Sequence, residues 1–376
     1  MLAKQILEVV GVENFRFAAT AQPDPERIKL GWNLSFNEPW ILRAGESVND
    51  KIEFEKWWEV ADIVICGDRR FDRMQDRIKN KKLCFYMSER WWKPPIGHGR
   101  LLWPSFFNLA CKFRALAKSE YFHYLPIGVY AAHDIMTLST PNQRIWKWGY
   151  FTQSVYNFNY MEALDMPRQN NILKILWVGR MLDWKRVDTL IKAVGLAIKA
   201  GTSLVLTLVG VGPEKERLRH LASRVLPNNT CNFFDAMPAN EIPNLMKKND
   251  VYVLPSNAYE GWGAVINEAM GCKCAVVASR QSGAAASMIA HGKNGMLFDT
   301  GNCDALSELL ITLANNPSLR AELAQAGCNT VQQLWSPKVA ASRLIEFSDA
   351  LIAGGEIKEF NTGPLSSALR WPLPDR

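Results

Sequence analysis

Residues 256–279 read SNAYEGWGAVINEAMGCKCAVVAS. Within them an acid, a glycine turn, a helix start, a second acid and a strand follow one another. Gly261 and Gly263 lack a Cβ, so backbone amides there can approach a ligand closely. The start of the helical "GAVINEAM" carries partial positive charge suited to a phosphate. Glu260 is expected to end the preceding strand, and Glu268 to lie more than one turn inside a helix beginning near Gly263. Two carboxylates flanking an anion-binding turn can accept hydrogen bonds from hydroxyls, one near each end of the anion. A molecule with hydroxyls on both sides of a diphosphate is a nucleotide sugar. The plainer reading makes Glu260 a helix cap and Glu268 a solvated acid, but all five features falling in one run argue against it.

The same alternation extends outward in both directions. Upstream come "KILWVG" as strand, "RVDTLIKAVGLAIKA" as helix, "LVLTLVG" as strand, "PEKERLRHLASRV" as helix, "CNFF" as strand, "EIPNLMKKN" as helix and "VYVLPS" as strand; "CAVVAS" closes the series. Earlier still, "NFRFAAT", "DIVICG" and "KLCFYM" read as strands, separated by the helical "EFEKWWEVA" and "RRFDRMQDRIKN". Alternating strands and helices predict an α/β fold with parallel sheets, whose ligands sit at the carboxyl ends of the strands. A chain of 376 residues suits two domains. The boundary is expected between "KWGYF" at 147–151 and Asn171, through the polar "RQNN", which divides the chain into 1–165, 166–335 and a helical segment with an irregular or disordered tail over 336–376.

Composition excludes several classes. With 48% hydrophobic and 22% charged residues the chain is neither disordered nor fibrous. No segment approaches the roughly 18 uninterrupted apolar residues of a membrane span, and Met1–Val12 lacks the features of a signal peptide, so a cytoplasmic location is expected. The eight cysteines lie mostly in apolar runs and read as reduced and buried. "CKC" at 272–274 has no second Cys or His pair at zinc-site spacing, so no metal is expected there. "VGVGPEKE" supplies Gly210 and Gly212 but not the third glycine of a dinucleotide fingerprint, and no Walker loop occurs.

Two basic features remain. "WVGRMLDWKR" places Arg180 and Lys185 five residues apart on a strand-to-helix loop, where a guanidinium and an ammonium can clamp a diphosphate. Taken alone, such loop cations are ordinarily solvated. Residues 89–118, ERWWKPPIGHGRLLWPSFFNLACKFRALAK, set six cations against one acid, interleaved with aromatics. A core helix with snorkelling cations is the leading reading. A surface lying on anionic lipid comes second, and a nucleic-acid patch third, because nothing resembles a nucleic-acid module.

The stretch "PSNAYEGWGAVINEAM…VVAS" resembles the E-x7-E region of retaining GT-B glycosyltransferases of family 4 (glycosyl transferases group 1), and "WVGRMLDWKRVDTLIKAV" resembles the glycine-arginine-lysine segment of that family. The resemblance is strong from Lys174 to Leu351. It is weaker from Phe15 to Tyr150, where the chain looks like bacterial members that build surface polysaccharide. It implies two Rossmann-like domains facing a cleft, joined again by a helix crossing back to the first domain. It also implies that Arg180 and Lys185 hold the donor diphosphate, that Glu260 contacts the donor sugar, and that Gly261, Trp262 and Gly263 form the loop beneath sugar and phosphate. Ala264 and Val265 would open the helix aimed at the phosphates, Glu268 would bind the ribose, and the base would lie near Asp235–Met237.

The expected activity is transfer of a sugar, with retention, from a nucleotide sugar to a glycan or lipid-linked acceptor in polysaccharide or lipopolysaccharide assembly. The donor is expected to be a UDP-sugar or GDP-mannose, with no other cofactor. Catalysis would fall to Arg180, Lys185 and Glu260, without a metal, since the chain contains no Asp-x-Asp. Partners would be the donor, the acceptor and an anionic membrane at its inner face, with no nucleic acid. A nucleotide-sugar epimerase or hydrolase of the same fold and a catalytically inactive sugar-nucleotide-binding scaffold stay open as alternatives. The helix-like opening MLAKQILEVVG stands where such proteins usually begin with a strand, so an upstream piece is expected to be missing or the start to lie earlier. His98, His123 and His133 carry no assigned role and read as structural.

Overall fold

The structure, a computed structural model, describes residues 1–22, 38–93, 96–138, 144–152 and 172–371. The polar "RQNN" lies outside these residues. The chain divides into two compact units, one drawn from Met1–Phe151 and Pro337–Asp375, the other from Thr152–Ser336.

In the first unit, β1 (Phe17–Ala18) and β2 (Ile41–Leu42) pair in parallel, while β3 (Ile63–Cys66), β4 (Leu83–Ser88) and β5 (Phe122–Pro126) form a second parallel sheet in that order. The sheet core is aromatic: Tyr86, Phe122 and Tyr124 are buried and meet Phe71 and Phe113 from the flanking helices Phe71–Lys79 and Pro104–Leu116, while buried Phe85 stacks on His123. Helix Pro337–Ala353 packs on Leu2–Val10, and its Phe347 ring lies against Phe85, His123 and Trp146 at 6.2, 5.6 and 4.8 Å. Residues 355–371 are mostly irregular, apart from one short helical turn at Ala368–Arg370, yet part of this segment is ordered by the unit. The amides of Leu365 and Ala368 donate to Lys147 O and Ile145 O, each at 2.9 Å, and Trp371 is buried.

The second unit is built on β6 (Leu173–Val178), β7 (Leu204–Val209), β8 (Cys231–Phe234), β9 (Val251–Leu254), β10 (Ala275–Ser279) and β11 (Met296–Phe298). Among the described residues these form one parallel sheet in the order β11-β10-β9-β6-β7-β8. Every residue of β9 and β10 is buried, as their unbroken apolar sequences require of strands covered on both faces. The edge strand β8 alternates between half-buried and exposed instead. Helix Val187–Lys199 lays Leu190, Ile191, Val194 and Ala197 into the core with the strands, each fully buried large aliphatic contributing about 1.5–3 kcal/mol. Counted from β6, the sheet order is the doubly wound 3-2-1-4-5-6, in which the connections change direction between β6 and β9. Ligands of such sheets bind beyond the carboxyl ends of those two strands.

Candidate functional site

The loops leaving β6 and β9 carry most of the residues singled out in the sequence. After β6 the chain passes exposed Arg180 and enters a short turn, Asp183–Lys185. Arg186 then takes a left-handed φ of 50°, costly without a Gly, and its guanidinium grips Asp188 at 3.1 and 3.3 Å in the first turn of the next helix. That anchor sets the direction of Lys185, whose Nζ forms an ion pair with Glu260 of the β9 loop. The two side chains are only 18% and 13% exposed, which makes the pair far less screened than a surface bridge. A second tie joins the loops at 2.9 Å, where the Asn257 amide donates to Trp184 O.

Gly210 and Gly212, legible only as an incomplete dinucleotide fingerprint, brace the first loop. A Cβ on Gly210 would stand 1.8 Å from Gly179 O, and the Met181 amide donates to Val211 O at 2.8 Å. The loop after β7 therefore lies flush against the backbone around Arg180.

Glu260 does not end β9, which stops at Leu254; it lies in the loop that follows. The next helix is Val265–Gly271, so Ala264 is its cap and Glu268 falls in its first turn, nearer the start than the sequence suggested. The reason is the turn itself: Gly263 adopts a φ of 89°, which delays the helix. Gly261 is buried and touches helix Gly283–Met288 so closely that a Cβ on Gly283 would be 2.1 Å from Gly261 O. Trp262 points away from solvent at 1% exposure, donating from Nε1 to Asn267 Oδ1 at 2.9 Å and facing Trp335. Its indole is thus scaffold, and this residue can meet a ligand only through its backbone.

Glu268 is half-buried, and its carboxylate has no hydrogen-bond or ion-pair partner among the described residues. Burial pushes its pKa up to about 7. The buried Tyr252 hydroxyl, which donates to Val178 O at 3.2 Å, is raised well above its ordinary value, first by burial and then by the charges of Glu260 and Glu268. Both carboxylates are therefore within electrostatic reach of one phenol beneath the β6–β9 crossover.

A carboxyl with a raised folded pKa binds more protons folded than unfolded, so it subtracts stability as pH climbs from the unfolded value through about 7. Glu268→Gln is accordingly expected to match the wild type in thermal melts near pH 4.5 and to exceed it at pH 8. Equal melting temperatures at both pH values would show that Glu268 carries no such penalty.

Asp235 follows β8 at the sheet edge, exposed and paired with Lys215, which holds its carboxyl below the usual range. The histidines of the first unit are engaged in its structure. His123 is buried, its pKa pushed down to about 3 chiefly by burial, and its Nδ1 accepts from Trp146 Nε1 at 3.0 Å. His133 donates to Trp371 O at 2.8 Å, and the His98 ring packs at a tilt against Trp92, centroids 4.8 Å apart. All eight cysteines are free; Cys272 and Cys274 are buried. Trp184, Asn257 and Tyr259 had no signal in sequence beyond adjacency to Lys185 and Glu260, since only the sheet order brings their loops together.

Residues 165–330 match the family model described as Glycosyl transferases group 1. The chain is 31% identical over 172 residues to a GDP-mannose-dependent monoacylated alpha-(1-6)-phosphatidylinositol monomannoside mannosyltransferase of Corynebacterium glutamicum, covering 44% of each chain. It is 24% identical over 234 residues to an amylovoran biosynthesis glycosyltransferase of Erwinia amylovora, covering 60% of this chain and 56% of the relative. The chain spans about half the length of the curated relatives it matches. Among solved structures, sucrose-phosphate synthase of Thermosynechococcus elongatus superposes with a TM-score of 0.66 at 16% identity over 94% of this chain and 92% of that one. Anabaena HepE in complex with UDP gives 0.64 at 17% identity over 82% and 85%. At these identities the structures show the fold alone, and that fold is α/β of the GT-B type, with two Rossmann-like units.

Proposed function

We propose that this chain is a retaining, metal-independent glycosyltransferase that takes a sugar from a UDP-sugar or GDP-mannose to a glycan or lipid-linked acceptor in cell-surface polysaccharide assembly. The observation that carries the reading is Glu268: a half-buried carboxyl group with no protein partner among the described residues, in the first turn of the helix that follows β9. Burying such a group is costly unless something hydrogen-bonds it, and the hydroxyls of a ribose supply that partner. The match of residues 165–330 and the nucleotide-sugar dependence named for the Corynebacterium relative support it.

In this reading the bond from the anomeric carbon to the diphosphate breaks while a bond to the acceptor oxygen forms on the same face, and the acceptor's proton passes to a phosphate oxygen. Negative charge grows on the leaving group, where Lys185 and Arg180 meet it in place of a metal. Glu260, held by Lys185, is positioned to accept from a sugar hydroxyl. Calorimetric titration with UDP, GDP, ADP and CMP and their sugar conjugates tests this. Base-selective binding, weakened about tenfold or more by Arg180→Ala and by Glu268→Ala, is expected; no binding by the wild type to any of them would overturn the assignment. Acceptor-dependent product then separates a transferase from an epimerase or hydrolase, and binding without turnover marks a scaffold.

We also assign the described part of residues 89–118, namely 89–93 and 96–118, to contact with an anionic membrane surface at the inner face. Trp91, Trp92, Phe106 and Phe113 are buried, as the core reading expects, but Leu102, Trp103 and Phe107 are 86%, 49% and 57% exposed. Arg90, Lys93 and Lys112 pair with Asp134, Glu89 and Asp72, whereas Arg114 and Lys118 make no ion pair among the described residues. Exposed apolar side chains edged by unneutralised cations suit an anionic interface, and no described helix is long and apolar enough to cross a membrane. Sedimentation with phosphatidylcholine vesicles containing phosphatidylglycerol is expected to carry the protein down, and Leu102→Glu with Phe107→Glu to lower the partition at least about tenfold. Equal sedimentation of the two proteins would remove this face from consideration.

A further inference from the structure

Trp184 and Tyr259 stand immediately before Lys185 and Glu260, one on each switch-point loop. Their rings lie 6.3 Å apart and are tilted by 36°, so they form one continuous aromatic surface. Both remain open, at 37% and 40% exposure, where large aromatics ordinarily bury most of their area. Asn257 holds the two in place. Its amide donates to Trp184 O at 2.9 Å, and its Oδ1 accepts from the Tyr259 amide at 3.0 Å. The Lys185–Glu260 ion pair closes the same junction one residue further along each loop. The surface is thus built before any ligand arrives, and little ordering cost is left for binding.

We propose that Trp184 and Tyr259 form a stacking platform for a pyranose ring at this site. A pyranose has an apolar C–H face and a rim of hydroxyls. An aromatic surface beside a carboxylate matches both: the rings take the face, and Glu260 accepts from the rim. A nucleobase would stack equally well and could donate to Glu260 from a ring or amino N–H, so the bare nucleoside diphosphate is the arm of the test that separates base from sugar. The inference rests on the proposed nucleotide-sugar site, and the ring it receives belongs either to the donor or to the acceptor.

The test uses the full chain and Trp184→Ala, Tyr259→Ala, Trp184→Phe and Tyr259→Phe, with thermal melts to confirm folding. Binding is measured by calorimetry for UDP, GDP and their sugar conjugates, and acceptor KM from initial rates. If the platform serves the donor, each alanine variant binds the sugar conjugate about tenfold more weakly, the size of one aromatic stacking contact, while binding of the bare nucleoside diphosphate changes less than twofold. If it serves the acceptor, donor affinity holds and acceptor KM rises about tenfold with kcat little changed. In both cases the phenylalanine variants recover most of the loss. Equal weakening of nucleotide and conjugate would make the pair loop scaffolding and overturn the inference, as would wild-type values throughout. A wild type that binds no nucleotide defeats the donor-site reading and this inference together, an outcome distinct from either of those.

Discussion

Lys185→Ala is expected to lower kcat roughly a hundred- to a thousand-fold, the usual loss when one preorganised donor to a developing negative charge is removed. Lys185 comes from the β6 loop and is held at the β9 loop by Glu260, so its charge is already stationed beside the turn proposed to take the phosphate. The same substitution leaves Glu260, largely shielded from water, without its cation. Breaking such a pair by deleting one partner costs up to about 3–5 kcal/mol where it is fully buried, so the variant also melts lower. Glu260→Gln separates the two effects. It frees Lys185 for an incoming diphosphate, so affinity for the bare nucleoside diphosphate holds or rises while turnover falls. Steady-state kinetics and calorimetry on both variants check this; wild-type kcat in Lys185→Ala would remove the lysine from the chemistry.

Gly283→Ala is expected to destabilise the second unit by about 3 kcal/mol or more, beyond the usual range for one added methyl. The new Cβ would meet Gly261 O at 2.1 Å, and a carbonyl held by the backbone has little room to yield. The Ala284 amide also donates to Trp262 O at 2.7 Å, so displacement of one segment moves the other. At roughly 2–4 °C per kcal/mol for a unit of this size, the transition moves down by about 6–12 °C. Nucleotide affinity falls with it, because Gly261 to Gly263 carry Glu260 and the helix start. Gly271→Ala is the control: nothing lies within 4 Å of its Cβ position, and its melt stays level or rises slightly. An unchanged melting temperature in Gly283→Ala would mean that the close approach is readily relieved.

The parts of this fold that depend on local pattern were legible in sequence. β9 and β10 announced themselves because strands covered on both faces must be apolar throughout, and helix Val187–Lys199 because its buried side chains recur at helical spacing. Strand pairs of two residues, such as β1 and β2, are too short to carry a pattern, and "NFRFAAT" yields only Phe17–Ala18 as strand. Glu260 and Glu268 were singled out by their spacing, but their offsets from strand and helix depended on a glycine turn whose length spacing does not reveal. What no local pattern holds is the sheet order. The Lys185–Glu260 pair, the bracing of the Arg180 loop by Gly210 and the meeting of Trp184 with Tyr259 all follow from β6 lying beside both β7 and β9.

The placement of Phe347 has a consequence for how the molecule is made. The first unit needs this ring against Phe85, His123 and Trp146, and it needs Leu365 and Ala368 hydrogen-bonded to Lys147 and Ile145. The whole second unit is therefore an insertion within the first. On the ribosome, Thr152–Ser336 emerges with the six described strands of its own sheet and can close its core during synthesis. The N-terminal sheet must wait, part of its aromatic surface uncovered, until the last helix and the segment through Trp371 have left the exit tunnel.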